Sequence, residues 1–278
     1  MIRQNLQKSN FQQTRFVVRV TNQYVICQMV KAYPTGDVTL ASASSQELRG
    51  YKFNVGLKNF TACYLTGLLL GCRVMRKSRL HKIYKGNTSA DALGTPFLER
   101  NLVNQPASYR AILDMGLKRP SKGSKIFAAL KGVTDAGVIV PYKPRLFYGF
   151  DKKKDTLNSQ ALSDRIRGVH LAQYAAKVLT NDPSVVDQSD EIKSSTSHKH
   201  FTAFFDNPSY YPALVDQTIA NIRKNPKRMK LPDQPKSASK KATRVPNMKK
   251  KSREERMHDI EEQKNAWMES MDVATSAA

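Results

Sequence analysis

The sequence predicts a layered α/β domain, followed by a helical region and by an extended basic tail with a helix. Three observations predict this class. Short β-rich runs with turn residues between them fill residues 16–44, a buried helical pattern starts at residue 59, and the pattern becomes all-helical after residue 151. We therefore expect an α/β domain at 1–150, a helical region at 151–225, and a basic segment with a C-terminal helix at 226–278.

The first three β-rich runs predict an antiparallel meander. Residues 16–20 and 25–32 are rich in valine and isoleucine, and a Thr-Asn-Gln turn separates them. A second turn, Pro-Thr-Gly-Asp at 34–37, leads into the alternating run at 38–44. Short turns of this kind join neighbouring strands that run in opposite directions.

Residues 59–75 then change to a helical period, with apolar residues recurring every three or four positions. Basic residues fill the end of this helix, where the helix dipole favours cations. Gly67 and Gly71 are four residues apart, and we expect them to allow close packing of the helix against the sheet.

The later elements are shorter. We expect strands at 81–84 and 138–140, a basic loop at 118–125, and a helix at 125–136 with Gly137 as its C-cap. The pattern at 109–115 fits a strand or a helix, and its position between loops favours a strand. Further helices are expected at 162–179 and 208–224. Ser252 and Glu255 have the spacing of a capping box before the C-terminal helix, and the basic stretch at 227–247 is expected to be extended.

Positive charge is the strongest compositional signal. The chain has a formal net charge of +23, and residues 1–150 hold 23 basic and 6 acidic residues. Most of the excess therefore lies on the part that should fold, which favours a shaped surface for a polyanion over a simple basic tail. The longest apolar stretch, 62–72, is about half of the ~20 residues that a membrane span needs.

No catalytic or metal motif is complete. An active nuclease on a ribonuclease-H-like scaffold needs converging carboxylates, but the first strand carries Arg19 where that scaffold carries an aspartate. The P-loop pattern is missing, and the three cysteines have no metal-site spacing. Two alternatives stay open beside RNA binding: a metal-dependent nuclease that uses Asp114 or Asp135, and a basic adaptor whose residues 226–278 recruit an acidic partner.

Basic and amide side chains stand at positions that should leave the core, where cations neutralise phosphates and amides bond sugars or bases. Tyr24, Tyr51 and Phe53 are candidates for stacking on unpaired bases. The candidate RNA-facing set comprises Arg15, Arg19, Asn22, Gln28, Lys52, Asn54, Lys58, Asn59, Arg73, Arg76, Lys77, Arg79, Lys118, Arg119, Lys122, Lys125, Lys143 and Arg145.

Four blocks then carry a specific resemblance. They are FVVRVTNQYVICQ at 16–28, VGLKNFTACYLTGLLLG at 55–71, HKIYKG at 81–86, and the long block at 113–141 that begins LDMGLKRPSKGSK. These resemble the 5S-RNA-binding ribosomal protein family, called L-five in eukaryotes and L-eighteen in the universal naming. Looser likeness extends over most of the chain.

The resemblance implies a three-layer ribonuclease-H-like sandwich with a mixed sheet, used as a scaffold without catalysis. It implies binding to 5S ribosomal RNA in the central protuberance, beside large-subunit RNA and neighbouring proteins, with no membrane and no small-molecule substrate. It implies no cofactor beyond magnesium held through RNA, and a place on cytoplasmic ribosomes after assembly in the nucleus. The RNA-facing positions that it implies are Arg19, Thr21, Asn22, Gln28, Lys58, Asn59, Lys122, Lys125 and Lys131.

The chain departs from the family pattern in two places. The resemblance implies a strongly basic arm before the first strand, whereas the residues before Phe16 are only mildly basic. The stretch at 87–105 also differs from the family in sequence. RNA contacts of such an arm are therefore not carried over to this chain.

Overall fold

The computed structural model describes residues 14–33, 35–53, 55–89, 91–171, 173, 210–228 and 252–276. The described strands are β1 (Thr14–Val20), β2 (Val25–Tyr33), β3 (Gly36–Ser44), β4 (Ile112–Asp114), β5 (Phe150–Asp151) and β6 (Thr156–Leu157). The described α-helices are α1 (Phe60–Lys77), α2 (Lys125–Asp135), α3 (Ser159–Arg167), α4 (Tyr210–Lys224) and α5 (Arg253–Ser276). Short 3-10 helices span Ser45–Tyr51, Leu80–Lys82, Asp91–Gly94 and Pro144–Leu146.

The main sheet has the order β3-β2-β1-β4. Antiparallel pairing of β1 with β2 and of β2 with β3 confirms the predicted meander, and β4 runs parallel to β1, so the sheet is mixed. Along β1 the side chains alternate: Phe16 and Val18 are buried, whereas Arg15, Val17 and Arg19 lie on the opposite face. The prediction of an α/β fold is therefore confirmed, with helices α1 and α2 packed on the face that holds Phe16.

Helices α1 and α2 run parallel and touch through glycines. Gly67 faces the backbone of Ala129, and one turn later Gly71 faces Val133 and Ala136. The expectation that these glycines pack against the sheet is therefore wrong, because a second helix lies over them. The absence of side chains lets the two backbones approach closely, and Gly132 of α2 makes the reciprocal contact with Tyr64.

Two of the predicted short strands differ from the structure. Residues 81–84 are not a strand: a 3-10 turn spans Leu80–Lys82, and the Tyr84 amide donates to the Leu80 carbonyl oxygen at 2.9 Å. The expected strand at 138–140 is reduced to a single parallel bridge between Arg110 and Ile139. A turn wins at 80–84 because Arg79 adopts a left-handed conformation that redirects the chain.

The helical region adds to the same core where it is described. Helix α3 begins three residues earlier than expected and is capped by Gly168, and residues 172 and 174–179 of the expected helix lie outside the described part. Helix α4 confirms the prediction at 208–224, and its Tyr211 is buried, with the hydroxyl accepting from the Asn59 amide nitrogen at 2.7 Å. The boundary at residue 151 stays a prediction, while the contacts divide the chain into Met1–Pro232 and Asp233–Ala278.

The second unit is described only from Ser252 onward, so the stretch at 229–251 lies outside the described residues. The predicted capping box is confirmed: the Glu255 amide donates to the Ser252 hydroxyl at 3.1 Å, and the Ser252 amide donates to the Glu255 carboxylate at 2.9 Å. In the described ranges, we find no helix that has both the length and the apolar character to cross a membrane.

Candidate nucleic-acid interface

The N-termini of α1 and α2 lie at the same end of the domain, because the two helices run parallel. Lys58 precedes the N-cap of α1, and Lys125 is the first residue of α2. Burial raises the pKa of the Cys63 thiol, one turn into α1, to about 12, and the nearby charge of Lys125 partly opposes this rise. Helix N-termini carry partial positive charge, so both lysines add to a field that attracts anions. We call Lys58, Lys125 and the exposed loop 118–122 the helix-end surface.

The helix-end surface is cationic without internal compensation. Lys118, Arg119 and Lys125 are exposed, and Lys58 is half-buried. None of these four has a carboxylate within ion-pair distance among the described residues. Lys122 is exposed but partly held, because its ammonium donates to the Phe150 carbonyl and lies 5.2 Å from that ring's centroid.

The open face of the sheet contributes Arg19 and Gln28. Arg19 is exposed, and Gln28 lies beside it because its register partner is Val17, which shares the face of Arg19. Arg15 lies on this face too, but its guanidinium is bound to Asp37 at 2.5 Å and to Asp114 at 3.1 Å. Its charge is therefore already balanced, and among the candidates on this face Arg19 is the better phosphate contact.

The turn between β1 and β2 separates two candidates by role. The Thr21 hydroxyl donates to the Tyr24 carbonyl oxygen and accepts from the Tyr24 amide, both at 2.9 Å. These bonds close the turn, so the main role of the Thr21 side chain is to stabilise the turn and not to contact RNA. Asn22 is exposed at the tip of this turn, and its side chain makes no hydrogen bond to the described residues.

Lys52, Lys143 and Arg145 are exposed as predicted. Arg145 lies 3.5 Å from Asp155, but both side chains are about 70% exposed, so water and salt screen the pair. Asn54 lies outside the described residues. The structure therefore leaves these cations available, and the Gly123 amide, which donates to the Leu146 carbonyl at 2.9 Å, holds the segment of Arg145 beside the loop of the helix-end surface.

Two of the RNA-facing expectations need correction. Lys131 is completely buried, and its ammonium pairs with the Asp135 carboxylate inside α2, so it has no route to RNA. Asn59 is occupied in the fold: its carbonyl oxygen caps α1 by accepting from the Ala62 amide at 2.6 Å, and its amide nitrogen donates to Tyr211. Tertiary packing therefore buries Lys131, and it engages both polar side-chain atoms of the half-buried Asn59.

The stacking candidates are likewise mostly internal. Tyr51 and Phe53 are buried, and the Tyr51 hydroxyl donates to the carbonyls of Asn225 and Lys227. Tyr24 is half-buried next to the exposed Asn22. Of the three aromatic side chains, only Tyr24 keeps a surface from which it could meet a base.

Four of the six carboxylates in residues 1–150 are held by cations instead of converging on a metal site. Asp37 and Asp114 both bind Arg15, Glu47 binds Arg73 at 2.6 Å, and Asp135 is held by Lys131. Within the described ranges, the side chains close enough to share a cation are His258, Asp259 and Glu262 of α5, a grouping common on charged helices. The geometry gives no support to a nuclease centre at Asp114 or Asp135.

Sequence reasoning also left some functional candidates out. Lys85 and Arg223 line a cationic groove at the opposite end of α1, and the exposed Lys82 follows the lining residue His81 in sequence. A signal was present in the sequence, because residues 48–90 contain no aspartate or glutamate. The contact between Arg223 and residues 85–87 is long-range, and sequence spacing does not reveal it.

Comparison with known proteins gives a consistent family. Residues 1–143 match the family model described as ribosomal large subunit proteins 60S L5 and 50S L18. The large ribosomal subunit protein uL18 of Dunaliella salina is 34% identical over 81% of this chain and 79% of its own length. The uL18 protein of Dictyostelium discoideum is 36% identical over 74% of this chain and 71% of its own length. The chain therefore belongs to the family of large-subunit ribosomal proteins 60S L5 and 50S L18, which are structural ribosomal components and not enzymes.

Proposed function

We propose that this chain binds 5S ribosomal RNA and anchors it in the central protuberance of the large ribosomal subunit. The observation that carries the proposal is the helix-end surface, where two parallel helix N-termini and uncompensated lysines meet. Relatives named large ribosomal subunit protein uL18 support an rRNA partner for such a surface. The sequence blocks at 16–28 and 113–141 support 5S RNA in particular.

The binding mechanism follows from charge and shape. Lys58, Lys125 and Arg19 neutralise phosphates, and each contact releases condensed counterions, so the affinity falls steeply with salt. Asn22 and Gln28 supply amides for sugar hydroxyls or base edges in single-stranded regions. The sheet and the two helices hold these side chains in fixed relative positions, which favours one RNA shape over another.

The same proposal covers the finer architecture and setting. It extends to the three-layer ribonuclease-H-like scaffold that the resemblance implies, divided at about residues 150 and 225. The mixed sheet and the helices on its Phe16 face supply two of those layers. The partners are 5S RNA, large-subunit RNA and neighbouring central-protuberance proteins, with magnesium held through the RNA. The location is the cytoplasmic ribosome, after assembly in the nucleus or nucleolus.

Lys58→Glu and Lys125→Glu are each expected to weaken 5S RNA binding by about tenfold at physiological salt, since each removes a cation and adds repulsion. The slope of log affinity against log salt is expected to fall by about one for each lost phosphate contact. Filter binding or fluorescence anisotropy over a salt series measures both quantities, and circular dichroism checks the fold.

Lys153→Glu is the matched control, because Lys153 carries the same charge and is exposed, but it lies in the β5–β6 connection and is not one of the residues that form the helix-end surface. It is expected to change 5S affinity less than about threefold, through net charge alone. Wild-type affinity in both helix-end variants would show that the surface is misplaced. Equal affinity for an unrelated RNA of similar length would contradict 5S specificity.

A further inference from the structure

A half-open groove of about 210 Å³ lies at the far end of α1, opposite the helix-end surface. It is bounded by the last turns of α1, by the 3-10 turn that follows, by the end of α2, and by the end of α4. Four of the side chains that line the groove carry a guanidinium, an ammonium or an imidazole group, and no carboxylate lines it. We call it the rear groove, and these four residues are Arg76, His81, Lys85 and Arg223.

The surroundings of the rear groove are free of acidic residues over long stretches. The sequence has no aspartate or glutamate in residues 48–90 or 217–232, the segments that build most of its walls. Lys82 and Lys85 are exposed, and neither has a carboxylate within ion-pair distance in the part of the chain that the structure describes. A surface of this kind repels itself unless a polyanion covers it.

The two arginines of the groove are fixed in place by backbone oxygens. Arg76 donates to the Lys224 carbonyl at 3.1 Å. Arg223 donates to the carbonyls of Lys85 and Asp135, both at 3.3 Å, and to that of Asn87. A guanidinium has five N–H donors, so Arg76 keeps donors beyond this bond. Its orientation is set before any ligand arrives, which lowers the entropic cost of binding.

The rear groove also marks the place where the basic segment leaves the domain. Pro226 lines the groove, and its carbonyl accepts from Arg73 Nε at 2.7 Å. The Tyr51 hydroxyl donates to the carbonyls of Asn225 at 2.8 Å and Lys227 at 2.9 Å. The start of the segment at 226–256, with 12 basic and 3 acidic residues, is therefore held at the rim.

We propose that the rear groove is a second RNA-backbone site, which binds a different RNA segment from the helix-end surface. The 18-residue α1 separates the two by about 27 Å, since each helical residue rises about 1.5 Å, so one short backbone stretch does not reach both. This inference rests on the proposed RNA-binding function and deepens it. The chain would hold two RNA segments against one another across the length of α1.

RNA is favoured over a small anion or an acidic protein segment by the continuity of the charge. In the sequence, Lys227 and Arg228 follow the groove residue Pro226 directly and belong to the basic stretch at 226–256. A basic groove followed in sequence by a basic segment suits a long polyanion, and a phosphodiester backbone carries regularly spaced negative charges along its length. The groove itself is wide enough for a phosphate flanked by guanidinium and ammonium groups.

The proposal is tested by lysine acetylation of the full-length protein, read by mass spectrometry. Equimolar 5S RNA is expected to slow acetylation of Lys58 and Lys125 and to leave Lys85 reactive. Addition of a mixed-sequence RNA duplex of about two helical turns is then expected to slow acetylation of Lys85 as well. Lys153 serves as the internal reference in the same spectra.

Other outcomes of the acetylation experiment would contradict the second RNA site or assign the groove to another partner. Unchanged Lys85 reactivity in saturating duplex would show that the groove binds no RNA. Full protection of Lys85 by equimolar 5S RNA would show one continuous surface and overturn the second site. Equal protection by a polyglutamate peptide at matched charge would point to an acidic protein instead. If 5S RNA protects neither Lys58 nor Lys125, the proposed function fails, while protection of Lys85 by duplex still supports the groove.

A paired variant provides the affinity test. K82Q/K85Q is expected to weaken capture of the duplex by the protein–5S complex about tenfold, with 5S affinity itself changed less than about twofold. K152Q/K153Q removes the same charge from an exposed site distant in sequence, and is expected to retain duplex capture. Equal loss in both variants would mean that net charge alone drives the capture, which would overturn the assigned site.

Discussion

Gly67→Ala is expected to lower the free energy of unfolding by about 2 kcal/mol or more, although alanine is the better helix former. A Cβ at this position would lie 2.1 Å from the Ala129 carbonyl oxygen and 2.9 Å from its carbonyl carbon. Both are backbone atoms, so α1 and α2 must separate to accept the methyl group. Overpacking of this kind costs about 1–3 kcal/mol and exceeds the gain of about 1 kcal/mol from helix propensity. Urea unfolding followed by circular dichroism measures the difference.

The sign of the change in the free energy of unfolding on Gly67→Ala separates close helix packing, which predicts a loss, from helix propensity, which predicts a gain. Ala220→Gly, at an exposed position within α4, is the control and is expected to cost about 1 kcal/mol through propensity alone. Gly132→Ala should match Gly67→Ala, because its Cβ would lie 2.1 Å from the Tyr64 carbonyl oxygen. A Gly67→Ala protein more stable than the wild type would show that the two helices do not touch here.

This helix pair illustrates what the sequence predicts and what it does not. The period of apolar residues predicts α1 and α2 within a few positions, because periodicity is a local property. It does not predict which surface faces Gly67, since a sheet and a helix both demand small residues. The false strand at 81–84 has the same origin: a short apolar run fits a strand or a turn, and the left-handed Arg79 decides between them.

The candidate site divides along the same line. The sequence predicts Lys58 and Lys125 as candidates because each lies at a helix start, whereas the parallel packing that brings the two helix starts together is visible only in three dimensions. Arg15 looked like a phosphate contact, but its partners Asp37 and Asp114 come from other strands. A lysine four residues before an aspartate is typical of an exposed helix face, so this spacing does not predict that Lys131 is buried.

Lys131→Met is expected to lower the free energy of unfolding by about 3–5 kcal/mol, and Asp135→Asn by a similar amount, because each leaves one buried charge without its partner. The Lys131 ammonium and the Asp135 carboxylate are both almost wholly buried, and the Tyr64 hydroxyl donates to the same carboxylate at 2.9 Å. Burial lowers the pKa of Lys131 and raises that of Asp135, and in each case the partner's charge opposes the shift. Each of the two buried charges is therefore stable only while its partner is present.

The double variant K131M/D135N separates pairing from packing. It removes both charges and retains a carbonyl oxygen that accepts from Tyr64, so it is expected to be more stable than either single variant by at least about 2 kcal/mol. Denaturant unfolding of all four proteins gives the coupling energy, and additive losses would contradict a direct ion pair. Because Lys131 has no exposed surface, the folded double variant is also expected to bind 5S RNA with wild-type affinity. Weakened binding by that stable, folded variant would return Lys131 to the RNA interface and overturn the burial that the structure assigns to it.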